Sequence, residues 1–135
     1  MGKRIEDIEG IGPAMGSALR DAGITTVERL LETACNKKGR DELANETQIN
    51  ETRILKWVNM ADLFRINGVS GQYAELLENA GVDTIKELRN RNAENLAEKM
   101  NEINAEKKVV RRTPSVKVVA SWVEQAKSLQ PKISH

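Results

Sequence analysis

Aromatic side chains are scarce in this chain: two Trp, one Tyr and one Phe amount to 3% of 135 residues. With so few, and with no long run in which β-branched residues alternate with polar ones, β-sheet is not expected. Cysteine occurs once, at Cys35, so no disulfide can close within the chain and a reducing compartment is the simpler expectation. One histidine, His135, leaves neither a nucleophile–base pair nor a cysteine–histidine zinc pattern. The carboxylates are plentiful, but their spacings read as helix-surface charge. No enzyme activity, no cofactor and no metal site is expected.

Long apolar runs are also missing. No stretch nears the roughly 18 apolar residues of a membrane span, and "MGKRIEDIEG" has no apolar signal core. The opening Met-Gly is followed by Glu6-Asp7 where a myristoylation signal wants Ser or Thr. A cytoplasmic protein with no membrane partner is the expectation. Nor is either charge in excess: 21 basic against 20 acidic residues give +1, which argues against a highly basic nucleic-acid coat and against an acidic tail. The halves differ, with −2 over residues 1–63 and +3 over 64–135. Attraction to phosphate is therefore expected mostly in the second half.

What is present is helical periodicity, written twice. "IEGIGPAMGSALRDAGITTVERL" from Ile8 matches "INGVSGQYAELLENAGVDTIKEL" from Ile66 at a displacement of 58. Gly10 meets Gly68, Leu19 meets Leu77, Ala22-Gly23-Ile24 meets Ala80-Gly81-Val82, and Leu30 meets Leu88. Further on, Trp57 and Ala61 match Trp122 and Ala126 at 65, so the second copy carries seven extra residues near "NEINAEKKVVRRT". A duplication follows, with a first repeat over 1–63, a second over 64–130 and a flexible tail over 131–135. At this length the chain suits one ordinary domain, or two small ones sharing a core.

Within the first copy, Pro13 suits the first turn of a helix. Ala14, Ala18, Leu19 and Ala22 recur at helical spacing until Gly23 ends the run. Thr25 or Thr26 can cap the next helix, "KKGRDELANET" predicts another, and Asn50 caps one with Ile54, Trp57, Val58 and Ala61 on its stripe. In the second copy Leu96, Met100 and Ile103 continue the pattern. Ser115 then opens a last helix with a stripe of Val116, Val119, Ala120 and Val123. About ten short helices are expected in all.

The densest punctuation is "IEGIGPAMG". Gly10 and Gly12 are candidates for backbone angles closed to other residues or for close approach of another group. Ile11 between them can turn inward as an anchor. The helix that Pro13 opens begins with unpaired N–H groups, which together with its dipole favour an anion such as phosphate. These residues resemble a helix-hairpin-helix motif, with Gly10-Ile11-Gly12 as the hairpin and Ala22-Gly23-Ile24 leading to the next helix. The tandem arrangement, including "LKWVNMADLFRINGVSGQYAELLENAGVDTIKELRNRNAENLAEKM" and "PSVKVVASWVEQAK", is similar to a family of uncharacterised duplicated helix-hairpin-helix domains over nearly the whole chain. The resemblance implies an all-α fold of the sterile-alpha-motif-like type, about five short helices per repeat, and no established activity. The wider superfamily implies sequence-independent binding of duplex DNA through hairpin amides on phosphates.

The chain departs from that pattern. Ala14 stands where many such hairpins carry Lys or Arg, and Arg20 follows only two turns later. The second hairpin reads Gly68-Val69-Ser70-Gly71, with Ser70 in the place of Gly12. Glu6, Asp7 and Glu9 bring charge of the wrong sign to the first. Lys107, Lys108, Arg111 and Arg112 form a basic run that reads either as a phosphate contact or as a solvated loop. Trp57 and Trp122 are expected to pack rather than to stack on bases, with Phe64 and Tyr73 packing beside the second hairpin and Cys35 at least half-buried.

The expected function is weak, sequence-independent binding of nucleic acid, duplex DNA first. It rests on Gly10, Ile11, Gly12, Ala14, Arg20, Gly68, Ser70, Gly71 and the basic run, helped by Lys3 and Arg4. The alternative is a protein–protein interaction module of the same fold.

Overall fold

A computed structural model describes residues 3–134; the Met-Gly opening and His135 lie outside them. The described residues form eight α-helices and one short 3-10 helix, with no β-strand and a single isolated bridge between Arg4 and Thr26. This is fewer than the ten helices expected, because the turns between short apolar stripes do not all become helix. The helices are α1 (Pro13–Asp21), α2 (Val27–Thr33), α3 (Lys37–Thr47), α4 (Glu51–Leu63), α5 (Gly71–Asn79), α6 (Ile85–Arg89), α7 (Ala93–Lys107) and α8 (Val116–Lys127); the 3-10 turn covers Ile5–Asp7.

Two compact units divide the chain. The first runs through Asp62 and takes in the residues from Lys132 onward; the second is Leu63–Pro131. In the first, α1 and α2 pack on the 3-10 turn, and α2 on α3. In the second, α8 packs on α6 and α7, and α7 on α5. Each unit holds one tryptophan at its centre, Trp57 at 2% and Trp122 at 1% exposure, as packing rather than stacking requires.

Local chemistry explains most boundaries. Pro13 occupies the first turn of α1. Thr26, not Thr25, caps α2 by accepting from the Arg29 N–H at 3.1 Å, Asn50 Oδ1 accepts from the Thr52 N–H at 2.8 Å, and Ser115 caps α8 through the Val118 N–H at 3.2 Å. Two expected stripes shift. Ala14 is exposed on α1 while Gly16 and Leu19 are buried; on α8, Val116 is exposed and Trp122 and Ala126 complete the buried face with Val119 and Val123. Tertiary packing selects a different sector of each helix than the spacing of small residues suggests.

The stretch expected as a tail bonds back to the first unit. The Ser134 N–H donates to the Cys35 carbonyl at 2.8 Å, and the Lys132 N–H reaches Asp62 Oδ2 at 3.5 Å. Arg40, 1% exposed, donates to the Ser134 and Ala34 carbonyls at 2.9 and 3.2 Å and to Glu51 Oε1 at 3.2 Å. A buried guanidinium costs desolvation unless it is hydrogen-bonded, and these acceptors give each of its three nitrogens a partner.

Candidate nucleic-acid interface

The two glycine-rich stretches make the same turn. The Ile11 N–H donates to the Ile8 carbonyl at 3.3 Å and the Val69 N–H to the Ile66 carbonyl at 3.2 Å. Gly10 and Gly68 hold the third position of each turn at φ +96° and +97°, in the region L side chains avoid. Ile11 and Val69 turn inward at 6% and 1% exposure. Each glycine also lies close to its unit's tryptophan. A Cβ on Gly10 would stand 3.6 Å from the Trp57 indole nitrogen; on Gly68 it would stand 3.0 Å from that of Trp122.

Beyond the turn the two sites diverge. Gly12 is the N-cap of α1 with φ −83° and ψ 179°, ordinary angles for any residue, and a Cβ there would meet nothing within 4 Å. Neither backbone nor packing demands glycine at this position. It leaves the Ala14 and Met15 N–H groups at the head of α1 without a side-chain cap. In the second unit Ser70 is the N-cap of α5, and its hydroxyl accepts from the Tyr73 N–H at 3.4 Å. Gly71, half-buried, opens α5 as its first residue.

Two of the three acidic residues around the first turn, Glu6 and Asp7, are engaged rather than free. Arg20 donates to both Glu6 oxygens, Nε to Oε2 at 2.8 Å and Nη2 to Oε1 at 2.6 Å. That hydrogen bond is the main reason the Glu6 carboxyl is held down at about 2, and it pushes Arg20 above its ordinary value. Asp7 Oδ2 accepts from the Arg4 N–H at 3.0 Å. Arg20, named as a phosphate contact, is thus committed to Glu6, and the Lys3 N–H faces Glu28 at 3.1 Å. Glu9 remains exposed.

A cation that helical periodicity does not single out lies at the head of α1 instead. Arg53, exposed on α4, places Nη1 3.3 Å from Met15 Sδ, at the third residue of α1. The contact spans 38 residues, so no local pattern announces it.

The basic run lies along α5. Lys107 Nζ donates to Asn79 Oδ1 at 3.2 Å near the end of that helix, and the Tyr73 hydroxyl donates to the Arg112 carbonyl at 3.0 Å near its start. Lys108, Arg111 and Arg112 are exposed. The Tyr73 ring also packs on Trp122 with centroids 5.4 Å apart. The second turn and the basic run are therefore neighbours within one unit.

A family model described as Domain of unknown function (DUF4332) matches residues 9–129, which includes both turns and the basic run. The chain belongs to that family. No curated protein and no solved structure matches it. In this DUF4332 chain no group of three His, Cys, Asp or Glu able to hold a metal occurs among the described residues, and no helix there is long and apolar enough to cross a membrane.

Proposed function

We propose that the two units are tandem helix-hairpin-helix repeats forming a non-enzymatic module that binds the phosphate backbone of duplex DNA weakly and without sequence preference. The first hairpin contributes uncapped main-chain N–H groups and Arg53. The second contributes the cationic side chains of its adjoining loop. The observation that carries this reading is at the first turn, where Met15, third residue of the uncapped α1, touches the Arg53 guanidinium; at the second, Tyr73 holds the Arg112 main-chain carbonyl and so anchors the cationic loop beside α5. An anion approaching the start of α1 meets both partial positive charge and a guanidinium. With all four aromatics buried or half-buried, base stacking contributes nothing.

Anisotropy titration of labelled duplex at low salt tests it. Gly12→Asp keeps a favourable cap and has room for its side chain, so it folds, yet it sets a carboxylate where phosphate would sit. Affinity is expected to fall about tenfold or more, roughly the loss of one charge-assisted contact and its replacement by repulsion. Parent-like binding by folded Gly12→Asp together with Arg53→Glu would make the first hairpin purely structural. A second reading is a protein-interaction module, favoured by Val116 and Val118, exposed at 46% and 41% beside the basic run. Absence of DNA binding by the parent at low salt would move the assignment there.

A further inference from the structure

The segment between α7 and α8 is built with more care than a solvated connection needs. Asn104 holds it from three directions: its carbonyl accepts the Lys108 N–H at 2.9 Å, its Oδ1 accepts the Val110 N–H at 2.9 Å, and its Nδ2 donates to the Val110 carbonyl at 2.9 Å. Val110 is buried, 8% exposed, and the Tyr73 hydroxyl fixes the Arg112 carbonyl. The loop is thus tied through its backbone. Among the described residues the side chains of Lys108, Arg111 and Arg112 enter no hydrogen bond or ion pair, and all three are exposed.

Lys108 adds a second observation. It ends α7 in the left-handed conformation at φ 52°, ψ 47°, where glycine is the unstrained choice. Only one other non-glycine residue among those described has positive φ, Gln48 at 62°. Its side chain returns to its own helix, Nε2 donating to the Asn45 carbonyl at 2.7 Å. Lys108 has no such compensating contact. A lysine held where glycine would sit more easily points to the use of its charge.

We infer that the 108–112 segment is a preformed cationic platform for consecutive backbone phosphates, with Asn104 as the positioning residue that keeps Lys108, Arg111 and Arg112 presented together. This rests on the duplex-binding reading and adds where its charge contact lies and what organises it.

Two variants of the full chain test it, with labelled duplex DNA as the probe. Lys108→Gly removes one cation while relieving the left-handed backbone. It should unfold at the same temperature as the parent or higher, bind about three- to tenfold more weakly at low salt, and lower the salt slope by about one. Asn104→Ala keeps the charge unchanged. It should speed exchange of the Val110 amide by about tenfold or more and weaken binding, because the cations must then be ordered on association. If the parent binds and Lys108→Gly matches it in affinity and slope, the platform is overturned while duplex binding stands. If Asn104→Ala frees the Val110 amide without loss of affinity, the positioning role is overturned. A parent that does not bind overturns the platform and the functional reading together.

Discussion

The two turns of this chain differ by almost nothing in backbone and by nearly everything in surroundings. Gly10 and Gly68 share φ to within a degree, and Ile11 and Val69 are both buried. Around the first lie a bare N-cap, an arginine from α4 and a carboxylate paired with Arg20. Around the second, Ser70 caps its own helix and a tied loop supplies side-chain charge. The turn fixes where a phosphate could approach; the residues brought from a distance decide what would hold it.

The largest expected difference between the turns is in stability. Placing Ala at Gly10 forces a side chain into positive φ at a cost of about 1–2 kcal/mol. Ala at Gly68 adds a methyl 3.0 Å from the Trp122 indole nitrogen, against 3.6 Å at Trp57, and should cost about 1 kcal/mol more than its counterpart. Chemical denaturation of both variants checks the order; equal losses would mean that the indole contacts do not distinguish the turns.

Binding should separate them next. Reversing Arg111 and Arg112 to Glu is expected to lower duplex affinity by about tenfold or more, and Arg53→Ala by about three- to tenfold, since the loop offers several cations and α4 offers one. A larger loss at Arg53 than at the loop would invert the ranking.

Exchanging the caps is a finer test. Gly12→Ser imports the second unit's cap and should stabilise by a few tenths of a kcal/mol while weakening DNA binding, because the hydroxyl competes for the Met15 N–H. Ser70→Gly should do the reverse in both respects. Thermal unfolding and titration of the pair read both changes.

The smallest effect concerns acid. Glu6 has its pKa lowered from 4.5 to about 2 by the Arg20 hydrogen bond, so its contribution is present above about 4.5 and is lost as pH falls toward 2. The positions 58 residues further on are Phe64 and Glu78, which cannot reproduce that pair. Glu6→Gln should therefore flatten the stability profile in that window; an unchanged profile would show that other carboxylates dominate acid unfolding.

Much of the helix plan was legible in the sequence because its signals are local. Pro13, Thr26, Asn50 and Ser115 act within four residues of themselves, and the glycine pair at 10 and 68 marks a turn whose hydrogen bond spans three. What decides the candidate site was not legible. Arg53 reaches Met15 and Arg20 turns to Glu6 through contacts across 38 and 14 residues, and Arg40 is buried by a partner 94 residues away. Charge counts treat every arginine alike, whereas the fold commits Arg20 and Arg40 internally, sets Arg53 at the start of α1 and leaves Arg112 exposed on its loop. The stripe errors at Ala14 and Val116 have the same origin: periodicity gives a helical face, and the neighbouring helices choose which sector is covered.

The most direct test of the account is the salt dependence of duplex binding by the unaltered chain. A short labelled duplex titrated from low to physiological ionic strength should show weak binding whose log–log slope is roughly −2 to −4, the signature of a few phosphates neutralised across two small contacts. No change in anisotropy at the lowest salt, or binding whose slope is near zero, would contradict it.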